Sequence, residues 1–519
     1  MHVSVMSPSR VPPPVSSEPN SLAFSTLSFR FRRPPLTRRQ VAKLDHLSCF
    51  VAPVRAHAKC ASVLPNSYAG ANDDLDARPG LAQTAAEAMA VAEMFAAHPG
   101  MRDRAASVLR KYGCATMPLT TNDADRTEYW RRVVDHYVVN QDEEFDEDQP
   151  FYVIDLCRVI VQMAKWRKNL PGVTPYYAVK CNPSDALIDM VHALGGSFDC
   201  ASVGEFTQVL GRGCGKPGDL IFANPCKMAS QMKQAHAAGV HCITFDNETE
   251  LDKIAKYMPE ARAVLRIRTD DSAAVCAFST KFGCPVPDAG RLLALARDLG
   301  VRIVGVSFHV GSGNNDPAAY TNAVRNARRI FDQGAQLGFD MKLLDLGGGW
   351  PGTEPRQGPD GKPDSLSFEG ICAHIRPLLA ELFQGVDVIG EPGRFFAASS
   401  YALAMSIHST RTVSTTAGDE HQFYTTDGLY HSFNCLFFDH AHPDLHALRP
   451  DVENPLQVTT IFGPTCDSLD CILKKAEFPR LAVGDWLFVP DFGAYTVAAG
   501  APFNGFATRR TKYVASLDL

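Results

Sequence analysis

Between Phe151 and Arg394 short apolar runs alternate with helical patterns, and few folds can absorb such an arrangement. After a first strand (Phe151–Asp155) and a helix (Val159–Lys168), the runs begin at PYYAVK (175), SFDC (197), LIFAN (220) and CITFD (242). They continue with AVLRIR (263), IVGVSFHV (303), KLLDLGG (342) and VDVIGEP (386). Helical patterns such as Ala186–Leu194, Glu248–Lys256 and Ala319–Leu337 lie between them. Eight strands alternating with helices over about 220 residues predict an α/β fold, a parallel eight-stranded β/α barrel of the TIM type. A doubly wound open sheet is the alternative, and the count of eight favours the barrel. Function in a β/α barrel sits at the C-terminal ends of the strands. Here those ends carry Lys180, Asp199, Asn224, Arg266, His309 with Ser312, Gly347–Gly349, then Glu391 and Arg394.

The barrel is expected to span 158–400. Beyond it the helical period fades into short β-like runs, among them Ala402–Ser406, Gln422–Thr426 and Trp486–Pro490. These predict a C-terminal β-sandwich or barrel-like domain over 401–519, joined by strands from 115–157. Residues 1–110 read as a disordered or targeting extension. The first 44 are rich in Ser, Pro and Arg and contain one acid, Glu18, a composition that buries little and matches organellar transit peptides. A pattern near Ala85–Ala97 is compatible with a helix, and the acidic run Asp142–Asp148 reads as a solvated boundary. A net charge of −6 gives no basic footprint for nucleic acid, and no run of eighteen apolar residues predicts a membrane span. The fifteen scattered cysteines include no C-x-x-C pair, which fits a reducing compartment better than a disulfide framework or zinc ribbon.

Lys180 closes a buried strand, where an amine is costly unless paired or used. Desolvation there is expected to lower its pKa and let it form a Schiff base with an aldehyde. A lysine snorkelling to the rim is the alternative. HVGSG (309–313) and DLGGGWPG (345–352) are glycine-rich turns able to form an anion nest, although neither has Walker or dinucleotide spacing. Arg394 in EPGR, two strand ends away, makes a phosphate site the better reading. Glu391 is either the ion-pair partner of Arg394 or a carboxylate for a protonated ring nitrogen. His309 is either a satisfied core histidine or a ring stacked on a flat cofactor. Cys466 in GPTCDSLD stands beside two acids, but a lone cysteine is usually a small core residue. His440, His442 and His446 lack the spacing that would complete a metal site, so no metal is expected.

Taken together, PYYAVKCN, FDCAS, FANPCK, LRIRTDDS, SFHVGSG, LDLGGGWPG, EPGRFF, YHSFNCLFFDHAHP, GPTCDSLD and DFGAYTVAAG resemble eukaryotic ornithine decarboxylases. That family lies within the alanine-racemase-like group of pyridoxal-phosphate enzymes. The resemblance covers roughly residues 115–519, in order. It implies decarboxylation of L-ornithine to putrescine, a first step of polyamine synthesis, by a homodimer with shared active sites. It further implies that Lys180 carries pyridoxal 5'-phosphate, Glu391 binds the ring nitrogen and His309 stacks on the ring. Ser312, Gly348, Gly349, Arg394 and Tyr495 would hold the phosphate, with Asp199 and Arg266 shaping the site. Cys466 and Asp467 would come from the partner subunit. Cys466 would return a proton to the substrate carbon, and Asp467 with Asp439 would bind the distal amine, Tyr430 sharing that pocket.

Alternatives are a lysine or arginine decarboxylase on the same scaffold, or a non-catalytic regulator resembling antizyme inhibitors. A racemase would need a tyrosine base on the opposite face. The resemblance also implies an antizyme-type regulator as a partner and a cytoplasmic location, with plastid or mitochondrion suggested by the extension. Phe438 stands where many members carry Tyr, and the Pro/Glu/Ser/Thr-rich tail of rapidly degraded animal members is missing after Leu519, so tail-driven turnover is not expected.

Overall fold

In the computed structural model, eight parallel strands close into a barrel. The structure describes residues 79–120, 125–140, 148–355, 365–416, 418–450, 455–506 and 509–519. Two strands precede the barrel, β1 (Ala115–Thr116) and β2 (Phe151–Asp155). The barrel strands are β3 (Val173–Ala178), β4 (Ser197–Cys200), β5 (Leu220–Phe222), β6 (Cys242–Phe245), β7 (Arg262–Arg266), β8 (Ile303–Ser307), β9 (Leu343–Asp345) and β10 (Asp387–Gly390). Val388 of β10 pairs with Val173 of β3 and closes the ring. The α/β barrel expected from the alternation is therefore present.

Its strands are shorter than the apolar runs suggest. Several stop before the polar residue that ends the run, so Lys180, Asn224, His309 and Gly347 lie on the following turns, while Asp199 and Arg266 stay within β4 and β7. Inside the barrel a small apolar cluster of Ile221, Ala223, Val264, Val304, Leu343 and Ile389 fills the lower layers. The larger core lies between the strands and the outer helices. The helix Pro317–Gln336 shows why its sequence folds as it does. Asp316 caps Ala318 N, Pro317 opens the first turn, and Ala323, Val324, Ala327, Ile330 and Phe331 bury one face at helical spacing.

The β domain contains β11 (Tyr401–Thr415), β12 (Gly418–Thr425), β13 (His446–Ala447), β14 (Leu456–Phe462), β15 (Cys471–Pro479), β16 (Trp486–Val489) and β17 (Arg510–Ala515). The sheet runs β1-β17-β2-β11-β12-β14-β15, with β16 joined to β11 and β13. β2 sits between the C-terminal strands β17 and β11, so residues before the barrel complete a sheet made mostly after it. Residues 115–157 also supply a helix, Arg126–Val139, capped by Asp125. Its Tyr129, Trp130, Val133 and Val134 pack on Phe151, Val153, Ala402 and Phe488. No helix of the described residues is long and apolar enough to cross a membrane.

The extension differs from expectation in its last third. Helices Pro79–Ala97 and Met101–Lys111 are ordered against the barrel, burying Val91, Met94, Met101, Ala105 and Val108. The alanine-rich run has high helix propensity, and its few apolar residues suffice once a partner surface exists. The transit-like first 44 residues lie outside the described residues, as does most of the acidic run. Glu87 pairs with buried Arg158 at 2.6 Å. Asp189 in the barrel collects Lys111 at 2.6 Å, the Tyr112 hydroxyl at 2.7 Å and Arg212 at 2.7 Å. Burial would raise the Asp189 carboxyl, but bonds donated by Arg212, Lys111, Tyr112 and Cys214 hold it well below the usual carboxylate range. A depressed carboxyl stabilises the fold above its unfolded pKa and loses that contribution as pH falls. Asp189→Asn should therefore cost about 2 kcal/mol in urea unfolding at pH 7, below a fully buried pair because Lys111 reaches solvent. The difference from wild type should shrink as pH falls below about 4.

Candidate active site

Lys180 projects from the tight turn Val179–Cys181 that follows β3. The turn is clamped to the β domain. Tyr495 N donates to Cys181 O at 3.0 Å and Asn182 Nδ2 to Gly493 O at 2.8 Å, while the Tyr177 hydroxyl donates to Asn182 O at 2.8 Å. Lys180 Nζ reaches Asp199 Oδ2 at 2.9 Å, with the lysine side chain 41% exposed and Asp199 fully enclosed. The amine is thus reachable from the mouth while its counter-ion is shielded. Burial pulls the amine downward, but Asp199 and then Glu391 outweigh it, and the pKa is raised. This reverses the lowered value expected from desolvation alone, because the strand-end argument omitted the neighbouring acids.

A third acid stands behind these two. Asp345 ends β9 and is wholly buried, with Oδ1 accepting from Gly347 N at 2.9 Å. Burial pushes its carboxyl up to about 6, and burial followed by the charges of Asp199 and Asp345 pushes Glu391 well above the ordinary range. Both shifts favour the protonated form, so the pair is suited to sharing a proton. Asp345 was not singled out by sequence reasoning, although an acid between an apolar run and a glycine turn was a usable signal.

His309 Nδ1 accepts from Gly311 N at 3.0 Å, which leaves the proton of the neutral ring on Nε2. Burial, with Arg266 and Lys180 nearby, keeps the ring neutral. The Phe278 ring meets it edge-on at 4.8 Å. The glycine turn is required here. A Cβ on Gly348 would lie 2.8 Å from His309 Nε2, and one on Gly349, whose φ is +90°, would lie 2.3 Å from Gly311 O.

Arg394 points into a cavity of about 210 Å³ lined by Cys276, Ser312, Gly349, Asp439 and His440. Its Nη2 pairs with Asp439 Oδ1 at 2.6 Å, and its guanidinium lies 5.2 Å from the centre of the Tyr495 ring. Tyr495 has φ +58° and His440 φ +51°, a left-handed conformation that side chains of this size rarely adopt. Two strained residues thus flank the Arg394–Asp439 pair.

Cys466, Asp467 and Tyr430 form a separate group. Cys466 is exposed and its N–H donates to Asn504 Oδ1 at 3.0 Å. The Tyr430 hydroxyl donates to Asp467 Oδ2, and the Tyr430 ring stacks on Phe503 at 4.3 Å. Among the described residues, no hydrogen bond or ion pair joins this group to Lys180, Glu391 or His309. One chain brings together eleven of the expected site residues and leaves these three apart.

Residues 156–398 match the family described as pyridoxal-dependent decarboxylase, pyridoxal binding domain. The chain is 47% identical over 439 residues to an ornithine decarboxylase of Leishmania donovani, covering 72% of this chain and 62% of that protein. It is 44% identical over 395 residues to the ornithine decarboxylase of Rattus norvegicus, covering 73% of this chain and 84% of the rat protein. The chain belongs to the ornithine decarboxylase family. A solved family relative, the arginine decarboxylase of Paramecium bursaria Chlorella virus, superposes with a TM-score of 0.67 at 31% identity, over 74% of this chain and all of that one.

As a member of this family the protein is a pyridoxal-phosphate-dependent amino-acid decarboxylase. The residues present suit that cofactor. An aldehyde needs an amine, supplied by Lys180, and a basic ring nitrogen needs an acid, supplied by Glu391. The phosphate needs the glycine turns and Arg394. Asp199 Oδ1 is buried and has no hydrogen-bond partner among the described residues, which leaves one further acceptor beside Lys180.

Proposed function

We propose that the protein decarboxylates L-ornithine to putrescine and carbon dioxide at a site completed by Cys466, Asp467 and Tyr430 of a second copy. The observation that carries this reading is a polar group separate from its own barrel mouth, on a chain that leaves large apolar side chains exposed beside both that group and Asp439. Phe437, Phe438 and Leu469 are 60%, 74% and 67% exposed, with Phe503 at 41%. Apolar surface gathered around a few polar groups marks an interface. A two-fold arrangement would bury it and bring each polar group to the other chain's barrel mouth.

Bound pyridoxal phosphate supplies the aldehyde that captures the substrate amine and the ring that takes up the electrons released with carbon dioxide. The chain supplies placement and charge. Lys180 would anchor the aldehyde end, with Asp199 holding the amine in position. Glu391 would face the ring nitrogen, where a positive charge would favour its ionised form. His309 would lie against the ring, and Ser312, Gly348, Gly349, Arg394 and Tyr495 would hold the phosphate. A phosphate there would compete for the guanidinium now bound to Asp439 and leave that carboxylate to a distal ammonium. The partner's Asp467 offers the second carboxylate, and the partner's Cys466 Sγ is placed to return a proton to the substrate carbon.

Asp467→Ala should raise KM for ornithine about 10- to 100-fold, the value of one charge-assisted hydrogen bond, while the cofactor absorbance stays unchanged. The deciding experiment is carbon dioxide release from L-ornithine, L-lysine and L-arginine by purified protein with pyridoxal phosphate. Faster release from lysine or arginine would assign those substrates instead. No release from any, with no cofactor absorbance band, would make the chain a binding regulator.

A further inference from the structure

The barrel face opposite the active site carries a second cluster of ligating side chains. His236 lies in the last turn of the helix Ala229–Ala237, His241 immediately precedes β6, and Glu260 stands two residues before β7. We propose that these three residues bind a divalent transition-metal ion of the Zn²⁺ class.

One donor atom from each residue lies within 4.8 Å of the other two. An ion at the centre of such a triangle would sit about 2.8 Å from each donor, so closing by about 0.7 Å reaches the Zn–N and Zn–O distance of about 2.1 Å. His236 and Glu260 are exposed and free to make that movement. The histidine rings already meet edge-on, with centres 5.7 Å apart and planes at 70°. His241 Nδ1 is shielded from solvent and has no hydrogen-bond partner among the described residues, a costly state for a ring nitrogen and one that calls for a partner.

The backbone beneath the three residues is fixed. Val240 N bonds to Ala235 O at 2.9 Å and Gly239 N to His236 O at 3.0 Å, which ends the helix firmly. Arg262 N bonds to His241 O at 2.8 Å and Ala261 N to Met258 O at 2.9 Å, setting the turn that presents Glu260. Two imidazoles and one carboxylate favour Zn²⁺, Co²⁺, Ni²⁺ or Cu²⁺ over Mg²⁺ or Ca²⁺, which prefer all-oxygen sites. Three protein donors leave a fourth position for water. The ion would tie the end of one helix to the starts of two neighbouring strands. No metal-binding motif announces the site, because the donors come from two separate helix-to-strand connections.

Titrating the full-length protein with Zn²⁺ should show one saturable equivalent per chain and a rise in Tm. Co²⁺ in its place should give the absorption of a nitrogen- and oxygen-ligated ion. His236→Ala, His241→Asn and Glu260→Gln should each weaken Zn²⁺ binding at least about tenfold and remove the rise in Tm, with decarboxylation unchanged. His236 and Glu260 are exposed, so their variants keep the test independent of folding. Absence of saturable binding, unchanged affinity in both histidine variants, or a thiolate-to-Co²⁺ charge-transfer band would overturn the assignment.

Discussion

Replacing Lys180 with alanine should abolish the cofactor absorbance band, prevent borohydride trapping and lower kcat by roughly 10⁴-fold, the upper range for a positioned proton-transfer group. The reason is in the pocket. Lys180 ion-pairs with Asp199 at 2.9 Å and lies near Glu391, so one amine is the counter-charge of two enclosed carboxyls. Lys180→Ala removes both the aldehyde anchor and that positive charge. Lys180→Arg keeps the charge but cannot form the linkage. Both variants should lose the band, whereas only Lys180→Ala should drive further proton uptake by the acids. Proton release measured on adding pyridoxal phosphate would separate the two. If Lys180→Ala retained the band, another amine would be the anchor and the site would have been placed wrongly.

How much of this was readable beforehand depends on the kind of constraint. The barrel was legible because burial imposes period on the chain, and eight apolar runs cannot be hidden by any choice of surface residues. The strand-end residues were legible for the same reason, since a parallel barrel sends every strand end to one face. Properties set by neighbours distant in sequence were not. The Lys180 amine is raised rather than lowered because Asp199 and Glu391 arrive from other strands. Asp345 was passed over since its importance lies in Glu391, far along the chain. The two helices over 79–111 gain their order from docking on Arg158, Asp189 and the barrel surface, which local composition does not record. His236, His241 and Glu260 show the same limit, being ordinary residues until two neighbouring helix-to-strand connections place them together.

Mixing Lys180→Ala chains with Cys466→Ala chains should restore activity that neither variant has alone. In one chain Cys466 is exposed and, among the described residues, shares no hydrogen bond with the Lys180 pocket, so a site using both thiol and amine would draw them from two copies. With equal amounts and free exchange, half the dimers are mixed. Each mixed dimer holds one site with both groups intact and one with neither, so recovery should reach about a quarter of wild-type kcat. The recovered activity should have the wild-type KM for ornithine, because every working site is unaltered. Two controls keep the result interpretable. Tagged subunits must be shown to exchange, and Lys180→Ala mixed with Lys180→Arg must recover nothing. Absence of recovery despite exchange would place Cys466 and Lys180 in the same chain's site, or remove the thiol from the reaction. Phe438 gives the interface its own check, since burying a phenyl ring that is 74% exposed in one chain should contribute roughly 2 kcal/mol. A two-fold dimer loses two such rings, so Phe438→Ala should raise the dimer dissociation constant about 1,000-fold while leaving the cofactor band of the assembled dimer unchanged.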